Sequence, residues 1–154
     1  MAKLFSTFPL TAEQIAVVFP LVNAAAPEID LARWRSFAAP LTDGAAPRSS
    51  GAIGLRNEAG YACGLLIYRV EHDLRRGAVL AIDLFVALDL VKDEDATRAL
   101  LQVAEAKAAE LHCVAMHVRS DVAQKALCDR LTAAGHRKEA SLFFKEVAAG
   151  DRPS

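Results

Sequence analysis

Asp83 and His117 are the two side chains whose chemistry stands out against their surroundings. Asp83 interrupts the apolar run Ala78-Val79-Leu80-Ala81-Ile82-Asp83-Leu84-Phe85-Val86, and His117 sits inside Cys113-Val114-Ala115-Met116-His117-Val118. A carboxylate and an imidazole can each take a proton from a reacting group, or hold a cation in place. Each also has a plain structural reading: Asp83 as the ion-pair partner of an arginine on a neighbouring helix, His117 as a satisfied core histidine. A third stretch, Lys92-Asp93-Glu94-Asp95-Ala96-Thr97-Arg98, combines two cations with consecutive carboxylates where a helix begins. A helix N-terminus attracts anions through its unpaired amides, and Asp93 or Asp95 can equally cap it. His72 beside Asp73 offers two ligand types without a third, so no metal role is assigned.

The elements that must position these groups follow from periodicity. Val79 to Val86 is nearly continuous in β-branched and apolar residues, as in a strand buried on both faces. From Asp95 the period changes: Leu100, Ala104, Ala108 and Leu111 recur at three- and four-residue steps, with Leu101 beside them. A strand, a helix and the strand at Cys113–Val118 in succession predict a parallel crossover, which sets His117 facing Asp83 across the sheet.

Upstream, 3–9 alternates around Leu4, Phe5 and Phe8 as a first strand. Thr11 and Gln14 form a capping box for a helix that Pro27 closes. Asp30 caps a second helix, 31–39, with Leu31, Trp34 and Phe37 on one face and a stop before Pro40. The stretch 40–50 is a loop by composition, either a linker or a lid over an acceptor site. Gly51–Arg56 and Tyr61–Val70 read as a hairpin turning at Gly60, and Glu71 to Gly77 as a second connection into the central strand. Downstream come a helix over 121–134, a turn at Gly135-His136 and a last strand, Ser141–Val147.

The chain has 154 residues, 53% of them hydrophobic and 24% charged, which suits one globular domain over 1–154, with 149–154 as a tail. A net charge of −1 supplies no global attraction for nucleic acid or an anionic membrane, so neither is expected as a partner. Ile15–Ala26 reads as a helix rather than a signal-peptide core, because Glu13 and Gln14 precede it and Pro20 interrupts it. It is too short for a span of roughly 20 residues. Cys63, Cys113 and Cys128 lack metal or redox spacing and read as small hydrophobes in a cytoplasmic protein.

The segment Ile82-Asp83-Leu84-Phe85-Val86, a loop, then Arg98-Ala99-Leu100-Leu101 in a helix resembles the central motif of the GNAT superfamily of N-acetyltransferases. The later order of strand, helix, Gly135-His136 turn and strand Ser141–Val147 is similar to that family as well. The resemblance covers most of the chain after Gly51 and implies an α+β GNAT-like acyl-CoA N-acyltransferase fold, a mixed central sheet with helices on both faces. It also implies acetyl-CoA as cofactor. The pantetheine arm would enter between Phe85-Val86 and Met116-His117, and the pyrophosphate would meet Lys92, Arg98 and the backbone of Asp95, Ala96 and Thr97. The connection departs from the family pattern: it has no glycine, and Asp93-Glu94-Asp95 stands where the pyrophosphate would lie.

The same resemblance places Asp83 as first candidate for base or ammonium binder and His117 as second. Where the family often uses a tyrosine as the acid, the helix over 123–134 has none, and Ser120 and Cys128 are the nearest proton donors. Two functions are therefore expected: an acetyl-CoA-dependent N-acetyltransferase acting on a small-molecule or peptide amine, or a degenerate GNAT-fold binding or assembly module that does not bind CoA. A homodimer through the final strand is compatible with either.

Overall fold

Strand propensity punctuated by glycine turns builds one five-stranded sheet in the order β1-β2-β3-β4-β5. Its strands are β1 (Phe5–Pro9), β2 (Ser50–Asn57), β3 (Ala62–Asp73), β4 (Gly77–Ala87) and β5 (Ala115–Val118). The first three pairings are antiparallel, and β4–β5 is parallel. The computed structural model describes residues 4–43, 47–88, 95–120 and 124–148, and of Asp95 the backbone alone. Met1–Arg119 and Ser120–Ser154 form separate units.

Helices cover both faces of the sheet. On one side α1 (Phe19–Ala25) packs on β3 and β4, and α2 (Leu31–Thr42) packs on β2. Phe8, Val18, Val22, Trp34, Ala38, Ala52, Leu65, Ile67 and Val86 form the core between them. On the other side α3 (Asp95–Glu110) lies on β3 and β4, burying Leu100, Leu101, Ala104 and Ala108. The helical period selects these residues and also Leu111, which lies past the end of α3 and is half-buried. The chain then returns as β5, which completes the parallel crossover expected from the sequence.

Several boundaries differ from expectation. The capping box at Thr11 and Gln14 is present, but it opens a short 3-10 turn (Ala12–Gln14), and α1 starts only at Phe19. Pro20 accounts for the restart: it lacks an N–H and fits only the first turn of a helix. Helix α2 runs through Pro40 to Thr42 rather than stopping before it. Proline there removes a single hydrogen bond in an exposed last turn, where Thr42 Oγ1 donates to Ala39 O at 2.9 Å. The buried face of α2 is Trp34 and Ala38; Phe37 is exposed and stacks on Trp34 at 6.2 Å between ring centroids.

The β2–β3 hairpin turns at Gly60, whose φ of +88° a residue with a Cβ would rarely adopt. Gly54 has a different reason: a Cβ there would fall on the Phe8 ring of β1. The β3–β4 connection is shorter than the sequence suggested, because Glu71, His72 and Asp73 belong to β3. Asp73 Oδ1 accepts from the backbone N–H groups of Arg75 (2.7 Å) and Arg76 (2.9 Å) and closes the turn before Gly77.

Those two donors hold the Asp73 carboxyl below its ordinary value of 3.8, with the Arg76 and Arg75 charges adding to the effect. A lowered carboxylate pKa adds stability that is complete above the ordinary value and is lost as pH falls through the lowered one. The urea midpoint of the wild type should therefore exceed that of Asp73→Asn near neutrality and approach it below pH 3.8. A gap independent of pH would remove the carboxylate charge from this turn.

In the second unit, α4 (Lys125–Ala133) ends at Gly135, with φ +97°. Gly135 N–H donates to Thr132 O and His136 N–H to Leu131 O, a glycine-terminated helix end. The expected last strand is absent: residues 141–148 are neither helix nor strand. Strand propensity alone does not form a strand, which needs a neighbour for its N–H and C=O groups.

Candidate functional site

Asp83 is the extra residue of a β-bulge. Ile67 of β3 faces Leu84 and the next residue, Tyr68, faces Ile82, which leaves Asp83 without a partner in the ladder. A bulge bends its strand and re-aims a side chain. Asp83 Oδ2 accepts a hydrogen bond from Arg69 Nε at 2.9 Å. Its ion-pair partner is thus an arginine on the adjacent strand, not on a helix.

The pairing continues across the sheet. Arg69 Nη1 lies 3.8 Å from Glu71 Oε2, and the same oxygen is 3.0 Å from His117 Nε2. Strand geometry dictates the grouping: Arg69 and Glu71, two residues apart, share a face of β3. Arg69 stands opposite Ala81 of β4, and Ala81 opposite His117 of β5. The small Ala81 side chain leaves the row open between them. His117 therefore faces Ala81 rather than Asp83, and the two candidate groups are joined through Glu71 and Arg69.

Because an ionised carboxylate only accepts, the His117 Nε2 must carry the proton in its bond to Glu71. This places Nδ1 as the basic nitrogen of the neutral ring. Carboxylate–imidazole pairing of this kind fixes ring orientation and tautomer. Two carboxylates against one guanidinium leave the cluster with net negative charge when His117 is neutral. Arg69 and His117 are exposed and Glu71 and Asp83 half-buried, so an ammonium from solvent can reach the row.

Beside this row β4 and β5 part. Their ladder spans Val79–Ile82 and Ala115–Val118, and Arg119 N–H adds a bond to Ile82 O at 3.0 Å. Strand β4 continues to Ala87, so Asp83–Ala87 lies past the β5 ladder. The opening expected between Phe85-Val86 and Met116-His117 is displaced, since Met116 pairs with Leu80 and His117 with Ala81. Phe85 and Val86 lie past the parting point, both buried. Phe85 faces Leu66, and Val86 faces Leu65 of the α1 side core.

At the start of α3, Ala96 and Thr97 are buried and Arg98 is exposed. Lys92, Asp93 and Glu94 lie outside the described residues, as does the Asp95 side chain. In the second unit Ser120 Oγ and Cys128 Sγ are 3.1 Å apart. Cys128 is exposed rather than part of a core, unlike the fully buried Cys63 of β3. A separate groove of about 430 Å³ lies on the α3 side of the sheet, lined by Thr7, Ile53, Tyr68, Val103, Lys107 and Glu110. Lys107 Nζ, 2.8 Å from Glu110, holds that carboxyl below its usual range.

Arg69 and Glu71 are the members of the cluster that the sequence did not disclose. Glu71 looked like part of a turn because Glu71-His72-Asp73 is charged and precedes Leu74-Arg75-Arg76-Gly77. The signal that could have found it is alternation: Arg69 and Glu71 continue one face of β3, where polar residues are tolerated beyond the helices.

The fold is similar to that of several solved acetyltransferases. The aminoglycoside N-acetyltransferase AAC(6')-Iy in complex with CoA matches at a TM-score of 0.79 and 10% identity, over 96% of this chain and 98% of that one. The aminoglycoside 6'-N-acetyltransferase AAC(6')-Ih from Acinetobacter baumannii matches at 0.75 and 13%, over 94% and 99%. A ribosomal-protein-alanine N-acetyltransferase from Brucella melitensis biovar Abortus 2308 matches at 0.73 and 15%, over 93% and 99%. No protein-family model and no curated protein matches the sequence.

Proposed function

The chain has the fold of the GNAT acyl-CoA N-acyltransferases, and from it we propose that the protein is a cytoplasmic N-acetyltransferase of that superfamily, acting from acetyl-CoA on a small-molecule or peptide amine. The observation that carries this reading is the Glu71–His117 hydrogen bond, 3.0 Å long, on the sheet face beside the parting of β4 and β5. A base held by a carboxylate, next to strand backbone outside the β5 ladder, is what an amine acyl transfer needs from a protein.

Acetyl-CoA, when bound, would supply an acyl thioester whose C–S bond breaks as the new C–N bond forms, with CoA leaving as its thiol after taking up a proton. Two features support its binding: the β4 edge at Asp83–Ala87, past the β5 ladder, offers backbone groups beside Phe85 and Val86, and α3 opens at Asp95, Ala96 and Thr97. Lys92 and Arg98 add positive charge for a pyrophosphate. Glu71 and Asp83 draw the acceptor in as its ammonium. His117 Nδ1 removes the proton that nitrogen must lose, and Glu71 stabilises the resulting imidazolium. Asp83, already bound by Arg69, serves as ammonium binder rather than base. The helices nearest this face, α1 and α2, shape what acceptor fits.

The contrary reading, a GNAT-fold module without CoA, rests on the glycine-free connection with its consecutive carboxylates Asp93-Glu94-Asp95. Two like charges ~4 Å apart repel by about 1 kcal/mol in water and more when desolvated, and they oppose a pyrophosphate too. Calorimetric titration with acetyl-CoA separates the two. Micromolar binding, weakened about tenfold or more in a Lys92→Ala, Arg98→Ala double variant, is the expected result, roughly 0.7 kcal/mol or more per cation. No binding at millimolar acetyl-CoA would overturn the enzyme reading.

A further inference from the structure

The groove on the α3 side of the sheet is the feature that the acetyltransferase reading leaves unused. A helix with its side chains is about 10 Å across and neighbouring strands lie about 4.8 Å apart, so one helix covers two strands. Helix α3 packs on β3 and β4, which puts β1 and β2 outside its main footprint. The groove of about 430 Å³ lies in that angle, between Thr7 and Ile53 on the strands and Val103, Lys107 and Glu110 on the helix. Those three helical residues are spaced by four and three and so share one face of α3. All the lining residues belong to the first unit.

Tyr68 lines this groove and is only 8% exposed. A buried tyrosine normally finds a partner for its hydroxyl. Among the described residues none hydrogen-bonds the Tyr68 hydroxyl, and its oxygen is not sealed from solvent. Gly51, opposite Tyr68 in the ladder, gives that oxygen its place, because a Cβ there would come within 2.8 Å of Tyr68 Oη. Lys107 Nζ stands 5.7 Å from the centre of the tyrosine ring. It is also 2.8 Å from Glu110 Oε2, and the other oxygen of Glu110 is 3.7 Å from Arg48 Nη2. Two cations against one carboxylate leave net positive charge beside an unbonded donor and aliphatic walls.

We propose that this groove binds a small amphipathic monocarboxylate. Its carboxylate accepts from the Tyr68 hydroxyl and the Lys107 ammonium, and its hydrocarbon part lies against Ile53 and Val103. A hydroxyl and an ammonium are both donors, and a hydrogen bond to a charged acceptor is the strong kind, so an anion completes the set. An ammonium ligand would meet the excess of Arg48 and Lys107 over Glu110. Inorganic phosphate has no apolar part to lay on Ile53 and Val103. The volume stands at the lower end of small-ligand sites, roughly 300–1,000 Å³. Tyr68 and Arg69 are neighbours on β3 and point to opposite faces, so the groove is on the reverse of the sheet from the Glu71–His117 row. The site therefore does not depend on the catalytic reading.

Hexanoate titrated into the full chain and followed by amide NMR tests the proposal. Saturable shifts at the amides of Ile53, Tyr68, Val103 and Lys107 are expected, with hexanol and hexylammonium binding at least tenfold more weakly. Tyr68→Phe should weaken hexanoate about tenfold or more, as for a lost hydrogen bond to a charged group. Its urea midpoint should not fall, because the hydroxyl bonds nothing in the free protein. Lys107→Gln should weaken hexanoate as well. Glu110→Gln should tighten it several-fold, since the substitution removes the one negative charge beside the ligand and releases Lys107. No saturation by about 10 mM hexanoate overturns the proposal. So does hexanol binding as tightly as hexanoate, unchanged affinity in Tyr68→Phe, or weaker binding in Glu110→Gln. A Tyr68→Phe midpoint well below wild type overturns it too, because the hydroxyl would then have a partner within its own chain.

Discussion

Replacing His117 by alanine lowers kcat for acetyl transfer by about 10²–10⁴-fold, the usual contribution of a positioned general base, while acetyl-CoA binding measured by calorimetry is unchanged. The expectation follows from Nδ1 being the basic nitrogen of a ring whose Nε2 is bound to Glu71. Glu71→Gln should reduce kcat by a smaller factor, roughly 10–100-fold, because the amide can still meet the ring but no longer favours the imidazolium. Asp83→Asn should act mainly on KM for the amine, since Asp83 already holds Arg69 and its part is ammonium binding. The measurement is steady-state kinetics with each variant on the same amine. Wild-type kcat in His117→Ala, together with a collapse in Asp83→Asn, would transfer the base to Asp83.

Removing the Trp34 side chain has the largest expected effect on stability. Trp34 is 2% exposed at the centre of the core beneath α1 and α2, and its Nε1–H donates to the backbone carbonyl of Ile15 at 2.7 Å. One side chain thus fills the space between the helices and satisfies a carbonyl that precedes α1. Trp34→Ala should cost about 3–5 kcal/mol, the range for deleting a large buried aromatic. Trp34→Phe keeps most of the volume and leaves the Ile15 carbonyl short of a donor, at about 1–3 kcal/mol. Urea unfolding followed by circular dichroism measures both, because the chain has one tryptophan and its fluorescence disappears with it. A Trp34→Ala variant within 1 kcal/mol of wild type, below the range for such deletions, would show that this helix pair does not depend on it.

These two predictions differ in how far the amino-acid sequence alone could reach them. Trp34 lay on a legible helical face, with Leu31 on the same side, so its burial was expected even though Phe37 proved exposed. The order β4, α3, β5 was legible for the same reason: a strand buried on both faces and an amphipathic helix each impose a period on the chain. Gly60 could be assigned to its turn because a positive φ excludes most other residues. Asp83 and His117 were visible as polar groups within apolar strands.

What tertiary structure decided was the company those groups keep. Glu71 and His117 are 46 residues apart, and Arg69 and Asp83 are 14 apart. Their meeting depends on register, and register is a property of paired strands rather than of either strand alone. The bulge that leaves Asp83 unpaired in the ladder arises between Ile67 and Tyr68 of the neighbouring strand, so no local pattern around Asp83 announces it. Nothing local to Gly54 discloses the Phe8 ring of β1 that leaves no room for a Cβ there. The Ser141–Val147 run is the converse case. Its residue types determine that it can be a strand, but a strand exists only where another backbone pairs with it.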